Sequence, residues 1–244
     1  RFSRRLFPCW GEKVIAISEE VKQHLSKDFQ VDEKKIVLIH NGIEINKYRI
    51  QNTEYRIQAK NALGLGQGPV VGIVARLSEV KGHVYLIEAM KAVTQNIPDS
   101  QLLIVGDGKT KKELTTLVSR LGLERSVVFL PSVADTREAL SVTDVFVMPS
   151  LKEGLGLALM EAMAAGLGVI GSDIGGIRSL IRDGFNGLLV KTADAQGLSK
   201  AILELLRNPD KARAMGEAAQ NFINENFSRE KMLKETEGVY SQCA

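Results

Sequence analysis

Cysteine is almost missing from this chain: among 244 residues only Cys9 and Cys243 carry a thiol, and they lie at opposite ends. That excludes a disulfide framework and a thiolate metal cluster, and it favours a reducing, cytoplasmic compartment. Histidine is as sparse. His24, His40 and His83 show no metal-ligand spacing. No apolar run reaches the roughly 20 residues needed to span a bilayer, and no signal peptide is expected from the first residues. A net charge of +3 is too small to argue for a nucleic-acid partner. Two local basic runs, "RFSRR" at the start and "KTKKE" near residue 110, read as solvated surface. Contact with phosphate, or peripheral association with an anionic membrane surface, is their secondary reading.

What remains has the profile of an ordinary globular protein, 44% hydrophobic and 25% charged. The length suffices for one large core, or for one core plus a fragment of another. Short runs rich in Val and Ile alternate with amphipathic helical patterns. Strands are expected at 13–17, 35–39, 70–75, 101–106, 127–130, 144–150 and 168–172, uninterrupted as parallel strands covered on both faces are. Between them lie helices such as 83–96, where Leu86, Met90, Val93 and Ile97 recur on one face. After "NGLLV" the pattern turns purely helical, over 193–207, 210–226 and 229–241. The fold class is therefore α/β: a Rossmann-like doubly wound parallel sheet flanked by helices, with C-terminal helices. The stretch 40–53 reads as a linker between a partial βα unit and the main sheet. The glycines of 64–69 precede a strand and read as a turn.

Ligands of such sheets bind beyond the carboxyl ends of the strands, where helix N-termini converge. Arg76 and Lys81 follow one strand, "GDGKT" the next, "PSV" the third, "LKEGLG" the fourth and "DIGG" the fifth. A guanidinium, an ammonium and free helix amides form a receptor for a diphosphate, although both cations could equally be ordinary surface charges. "GDG" lacks the third glycine of a dinucleotide fingerprint, and no G-x-x-x-x-G-K-[ST] loop occurs. No Asp-x-Asp pair offers ligands for a metal-held diphosphate either. From Gly154 to Gly171 the chain is apolar or glycine except for Glu161. The run reads as a helix buried on nearly all sides with a carboxylate at its centre, which must be compensated or sit at a cavity wall. Gly154 and Gly156 leave the amides of residues 154–157 open to an anion. Glu153 and Glu161, eight helical residues or about 12 Å apart, are too distant for a glycosidase-like carboxylate pair of ~5–9 Å. They read as separate contacts to one elongated ligand, with a core salt bridge as the alternative for Glu161.

These segments resemble a known family. "KIVLIHNGIEINKY", "VGIVARLSEVKG", "LLIVGDG", "VVFLPSV", "DVFVMPSLKEGLGLALMEAMAAG" and "GSDIGG…GFNGLLV" follow, in order, the donor-binding half of retaining glycosyltransferases of group 1 (family 4, GT-B fold), over roughly 13–242. Its paired-glutamate motif E-x7-E is met by Glu153 and Glu161, and its Arg…Lys pair by Arg76 and Lys81. The resemblance implies that Glu161 holds the ribose hydroxyls of a UDP- or GDP-linked sugar, through charge-assisted hydrogen bonds of about 1.5–3 kcal/mol each. It implies that Glu153 meets the donor sugar, that the amides of Gly154, Leu155, Gly156 and Leu157 meet phosphate and sugar, and that Val133 lies near the base. Arg76 and Lys81 would bind the diphosphate and stabilise the leaving nucleotide without a metal or cofactor. Departures from the pattern are Ala75 for glycine, His40 and Gly168 for prolines, and Ser179 for a glutamate; the last touches the sugar site.

The resemblance further implies three parts. Residues 1–30 would be the last βα unit of an N-terminal acceptor domain, 31–227 the nucleotide-sugar-binding domain, and 228–244 a helix crossing back to the missing domain. A chain of this kind, supplying one half of a cleft, would bind donor and transfer little alone. Its acceptor, a glycan, a lipid or a small molecule, would bind through the missing domain. Two other readings share the donor site: a sugar-nucleotide epimerase and a non-catalytic nucleotide-sugar-binding module.

Overall fold

The computed structural model describes residues 10–48 and 53–243. Cys9, the "RFSRR" run, residues 49–52 of the expected linker and Ala244 lie outside the described residues. Two sheets form. The smaller pairs β1 (Val14–Ala16) in parallel with β2 (Ile36–Leu38), with α1 (Glu19–Lys27) crossing between them. Ala16, Val31 and Ile36 form its core, packed by Trp10, Val14, Val21, Leu25 and Leu38. The expected division at residues 30 and 31 therefore falls inside a βαβ unit. Val14 pairs with Ile36, so the 35–39 strand belongs with the first unit and not with the main sheet.

Chain order continues through α2 (Thr53–Ala62), β3 (Val70–Val74), α3 (His83–Asn96), β4 (Gln101–Val105), α4 (Lys111–Leu121), β5 (Val127–Leu130) and α5 (Arg137–Val142). Then come β6 (Val145–Met148), α6 (Leu157–Ala164), β7 (Gly168–Ser172), α7 (Gly175–Arg178) and β8 (Leu188–Val190). Three helices close the chain: α8 (Ala195–Arg207), α9 (Pro209–Asn226) and α10 (Arg229–Cys243). The six main strands are all parallel, in the order β5-β4-β3-β6-β7-β8. This is the doubly wound Rossmann order, in which the winding direction reverses between the first and fourth strands, here β3 and β6.

Alternation along the strands feeds two cores. Val71, Ile73, Val145 and Val147 face one layer, with Leu86, Met90 and Val93 of α3 and Leu198, Ile202 and Leu205 of α8. Phe146 and Met148 face the other, with Leu159, Met160 and Met163 of α6 and Ala219 and Ile223 of α9. The apolar stripe expected on 83–96 is the buried face of α3. β8 goes beyond the expected strands: at three residues its apolar run is too short to stand out from the turn before it. Among the described residues, no helix is long and apolar enough to cross a membrane.

Candidate functional site

The carboxyl ends of β3 and β6 flank the switch point, and the loops leaving them are fastened together. Ala75 N donates to Val105 O at 3.0 Å and Leu77 N to Asp107 O at 2.9 Å, so the exit of β3 lies along the exit of β4. Asp107 joins the next loop reciprocally: its carboxylate accepts from Ser132 N at 2.7 Å, while its own amide donates to Ser132 Oγ at 3.0 Å. The Ser132 amide, with Lys111 nearby, holds the Asp107 carboxyl below its usual range. "GDG" is thus a fastener between strand ends, and Val133, 43% exposed, sits beside it.

On the other side of β3, residues Glu79–Lys81 make one 3-10 turn that ends at Gly82 with φ 69°. A Cβ there would stand 2.0 Å from the carbonyl oxygen of Pro149, so only glycine lets this loop lie on the loop after β6. Leu151 N donates to Val80 O at 2.8 Å across the same junction. The consequence is an ion pair: Lys81 Nζ lies 2.5 Å from Glu153 Oε2, the two side chains being 20% and 13% exposed. Ser150 Oγ approaches the same oxygen at 3.4 Å. Sequence reasoning placed these two residues on different parts of a ligand; the structure joins them to each other. Arg76 is exposed and has no hydrogen-bond or ion-pair partner among the described residues.

Glu153 leads into residues 154–157, whose amides donate no hydrogen bond to the described residues. Leu155 is buried in the core, so only its backbone can serve a ligand, whereas Leu157 is 50% exposed. The loop is wedged in place from behind. A Cβ on Gly176 would meet Glu153 O at 2.3 Å and Gly154 O at 2.5 Å, and Glu20 Oε2 accepts from Gly176 N at 2.9 Å.

α6 is buried on most of its surface, as expected: Leu159, Met160, Ala162, Met163 and Ala164 are buried, and Leu157, in the first turn, is exposed. Glu161, four residues on, is not fully enclosed but partly buried. Nor is Glu161 in a salt bridge among the described residues. Its Oε1 accepts from Tyr48 Oη at 2.9 Å and its Oε2 from Thr136 Oγ1 at 2.8 Å. Burial, then the charge of Glu161, pushes the Tyr48 hydroxyl well above its usual range, so it remains a donor. Beside Thr136, Arg137 grips Asp135 and holds its carboxyl down to about 2. Neither Tyr48 nor Thr136 was singled out from the sequence. The only signal was that a carboxylate in an apolar run needs donors from elsewhere. Among the described residues, no three His, Cys, Asp or Glu side chains gather as a metal site requires.

The site can therefore meet an anion with Arg76 and the amides of 154–157, and hydroxyl groups with two carboxylates on one rim. Residues 56–222 match the family described as glycosyl transferases group 1. The chain is 31% identical over 208 residues to the N-acetyl-alpha-D-glucosaminyl L-malate synthase of Bacillus anthracis, covering 85% of this chain and 54% of that protein. It is also 31% identical over 233 residues to an Escherichia coli enzyme, the UDP-Gal:alpha-D-GlcNAc-diphosphoundecaprenol alpha-1,3-galactosyltransferase, covering 93% of this chain and 59% of that protein. The crystal structure of Anabaena Alr3699/HepE in complex with UDP and glucose superposes with a TM-score of 0.91 at 27% identity, covering 99% of this chain and 66% of that one. The chain thus spans little more than half the length of these curated relatives. By this family match and by its sheet order, the chain belongs to the group 1 glycosyl transferases of the GT-B fold and corresponds to their C-terminal domain.

Proposed function

We propose that this chain is the donor-binding part of a retaining, metal-independent glycosyltransferase that takes a hexose-type sugar from a UDP- or GDP-linked donor. The observation that carries the reading is the placement, on the segments that follow β3 and β6 at the switch point, of an unpaired Arg76, the Lys81–Glu153 pair, unused amides at 154–157 and the partly buried Glu161. The UDP and glucose in Anabaena Alr3699/HepE support the same ligand class.

In this reading Glu161 holds the ribose, and Val133 lies by the base. Arg76 and the amides of Gly154, Leu155, Gly156 and Leu157 take the diphosphate. Lys81 turns from Glu153 toward the phosphates, and Glu153, so released, meets the sugar hydroxyls. As the glycosidic bond breaks, negative charge grows on the leaving diphosphate, where Arg76 and the redirected Lys81 stabilise it. The acceptor, a glycan, a lipid or a small molecule, binds through a further domain. The βαβ unit is the remnant of that domain, and α10 returns to it. This chain alone then transfers little. A cytoplasmic setting, at a membrane surface for a lipid acceptor, fits the scarcity of cysteine and the local basic runs.

The test is thermal stabilisation by a panel of UDP-, GDP- and ADP-sugars. A ligand at 100 times its Kd adds about 2.7 kcal/mol. The variants Glu161→Ala and Arg76→Ala lose most of that shift. Glu153→Gln frees Lys81, so it keeps the shift from the bare nucleoside diphosphate while losing part of that from the sugar nucleotide. A full shift in Glu161→Ala would show that the ribose assignment is wrong.

A further inference from the structure

Three separate elements meet at Glu161. Tyr48 ends the turn Ile45–Tyr48 that leads in from the βαβ unit, Thr136 precedes α5, and Glu161 lies on α6. The Tyr48 side chain is buried at 9% exposure among the residues of the α6 core, where a phenylalanine would fill the same space. Its hydroxyl donates to Glu161, with the Thr136 hydroxyl close beside it. Thr136 stands at the N-cap of α5, where a threonine hydroxyl ordinarily accepts an amide of the first turn. Here it makes no cap bond and donates to Glu161 instead. Glu161 is partly buried rather than fully enclosed in the core, and no cation pairs with it among the described residues. Two hydroxyls are thus aimed, one at each oxygen, at the carboxylate of a partly buried residue.

A carboxylate offers about four acceptor sites, two on each oxygen. Tyr48 and Thr136 take one on each and leave one on each, with the plane of the group fixed. We propose that Tyr48 and Thr136 are positioning residues that hold Glu161 as a two-point receptor for a vicinal diol, which makes the site selective for ribonucleotides over 2′-deoxyribonucleotides. The inference rests on the reading of Glu161 as the ribose contact. A free glutamate must freeze several torsions when its ligand arrives, and fixing it beforehand removes that cost.

The experiment is calorimetric titration of this chain with UDP and GDP, each against its 2′-deoxy form. The wild type prefers the ribonucleotide about tenfold or more, as expected of a hydrogen bond to a charged group. Tyr48→Phe and Thr136→Val each weaken ribonucleotide binding about three- to tenfold while changing the deoxy form by less than about twofold, so the preference shrinks. Thr136→Ser retains the hydroxyl and restores it. A merely structural role would lower the unfolding temperature and leave the preference intact. If Glu161→Gln abolishes the preference while Tyr48→Phe and Thr136→Val keep it, the ribose reading stands and the positioning role is overturned. If Glu161→Gln keeps the preference, or the wild type has none, the ribose reading itself fails and this inference falls with it.

Discussion

His83 is the first residue of α3, two positions beyond Lys81, and it is 2% exposed. Neither ring nitrogen meets a partner among the described residues. Burial, then the nearby charge of Lys81, lowers its pKa to about 4. The folded imidazole is therefore neutral at pH 7, while the same residue in the unfolded chain titrates near 6.5. Between those values the unfolded state binds a proton that the folded state refuses, so stability falls as pH drops from about 6.5 to about 4 and is level above that window. The contribution lost is on the order of 3 kcal/mol. Urea unfolding at pH 7, 5.5 and 4.5 checks this, with His83→Leu as the comparison. The variant should match or exceed the wild type at pH 7 and should lose less stability on acidification. Equal acid slopes would mean that the imidazole is open to solvent.

At the scale of elements, the turn that delivers Lys81 depends on one glycine, and the chain supplies its own control. Gly82 and Gly64 share a left-handed backbone, φ 69° and 71°. A Cβ at Gly82 runs into Pro149 O, whereas one at Gly64 meets nothing within 4 Å. Gly64→Ala should cost only the left-handed penalty, about 1 kcal/mol, while Gly82→Ala adds a backbone collision and should cost roughly 3 kcal/mol or more. Denaturant unfolding of the pair separates conformational strain from crowding, and equal losses would place the Pro149 loop farther away. The glycine shows why some elements were legible in the sequence and others were not. Buried strands such as 70–75 and 144–150 announce themselves by unbroken apolar runs, and α3 by its stripe. β8, α5 and α7, six residues or fewer, carry too little periodicity to stand out, and the partner of 35–39 was a matter of pairing that composition does not record. The same limit governs the site. Arg76, Lys81, Glu153 and Glu161 were legible because they follow strands or interrupt an apolar run. The Lys81–Glu153 bond spans 72 positions and the Tyr48–Glu161 bond 113, and only the folded topology creates those neighbours.

Over the whole molecule, the entry to the main body is fastened to its far end. Ile43 bridges in parallel with Ser228: its amide donates to Phe227 O at 2.9 Å, and its carbonyl accepts from Arg229 N at 3.0 Å. Arg229 also reaches Glu44 at 3.1 Å, in a pair about half exposed at both ends. Tyr48, whose hydroxyl donates to Glu161, lies five residues after Ile43, so the tie anchors the segment that reaches Glu161. Arg229 is the first residue of α10, a position where proline is tolerated because the helix itself makes no use of that amide. Arg229→Pro therefore removes the hydrogen bond to Ile43 and the exposed ion pair while leaving α10 able to form. Arg229→Ala removes the ion pair alone. The alanine variant should stay within about 0.5 kcal/mol of the wild type, since exposed pairs contribute little. The proline variant should lose about 1 kcal/mol, a fall of about 2–4 °C in unfolding temperature for a chain of this size. Circular dichroism fixes the interpretation: unchanged helix content with a lowered Tm assigns the loss to the tie between the two ends, whereas reduced helicity would mean that α10 itself had frayed.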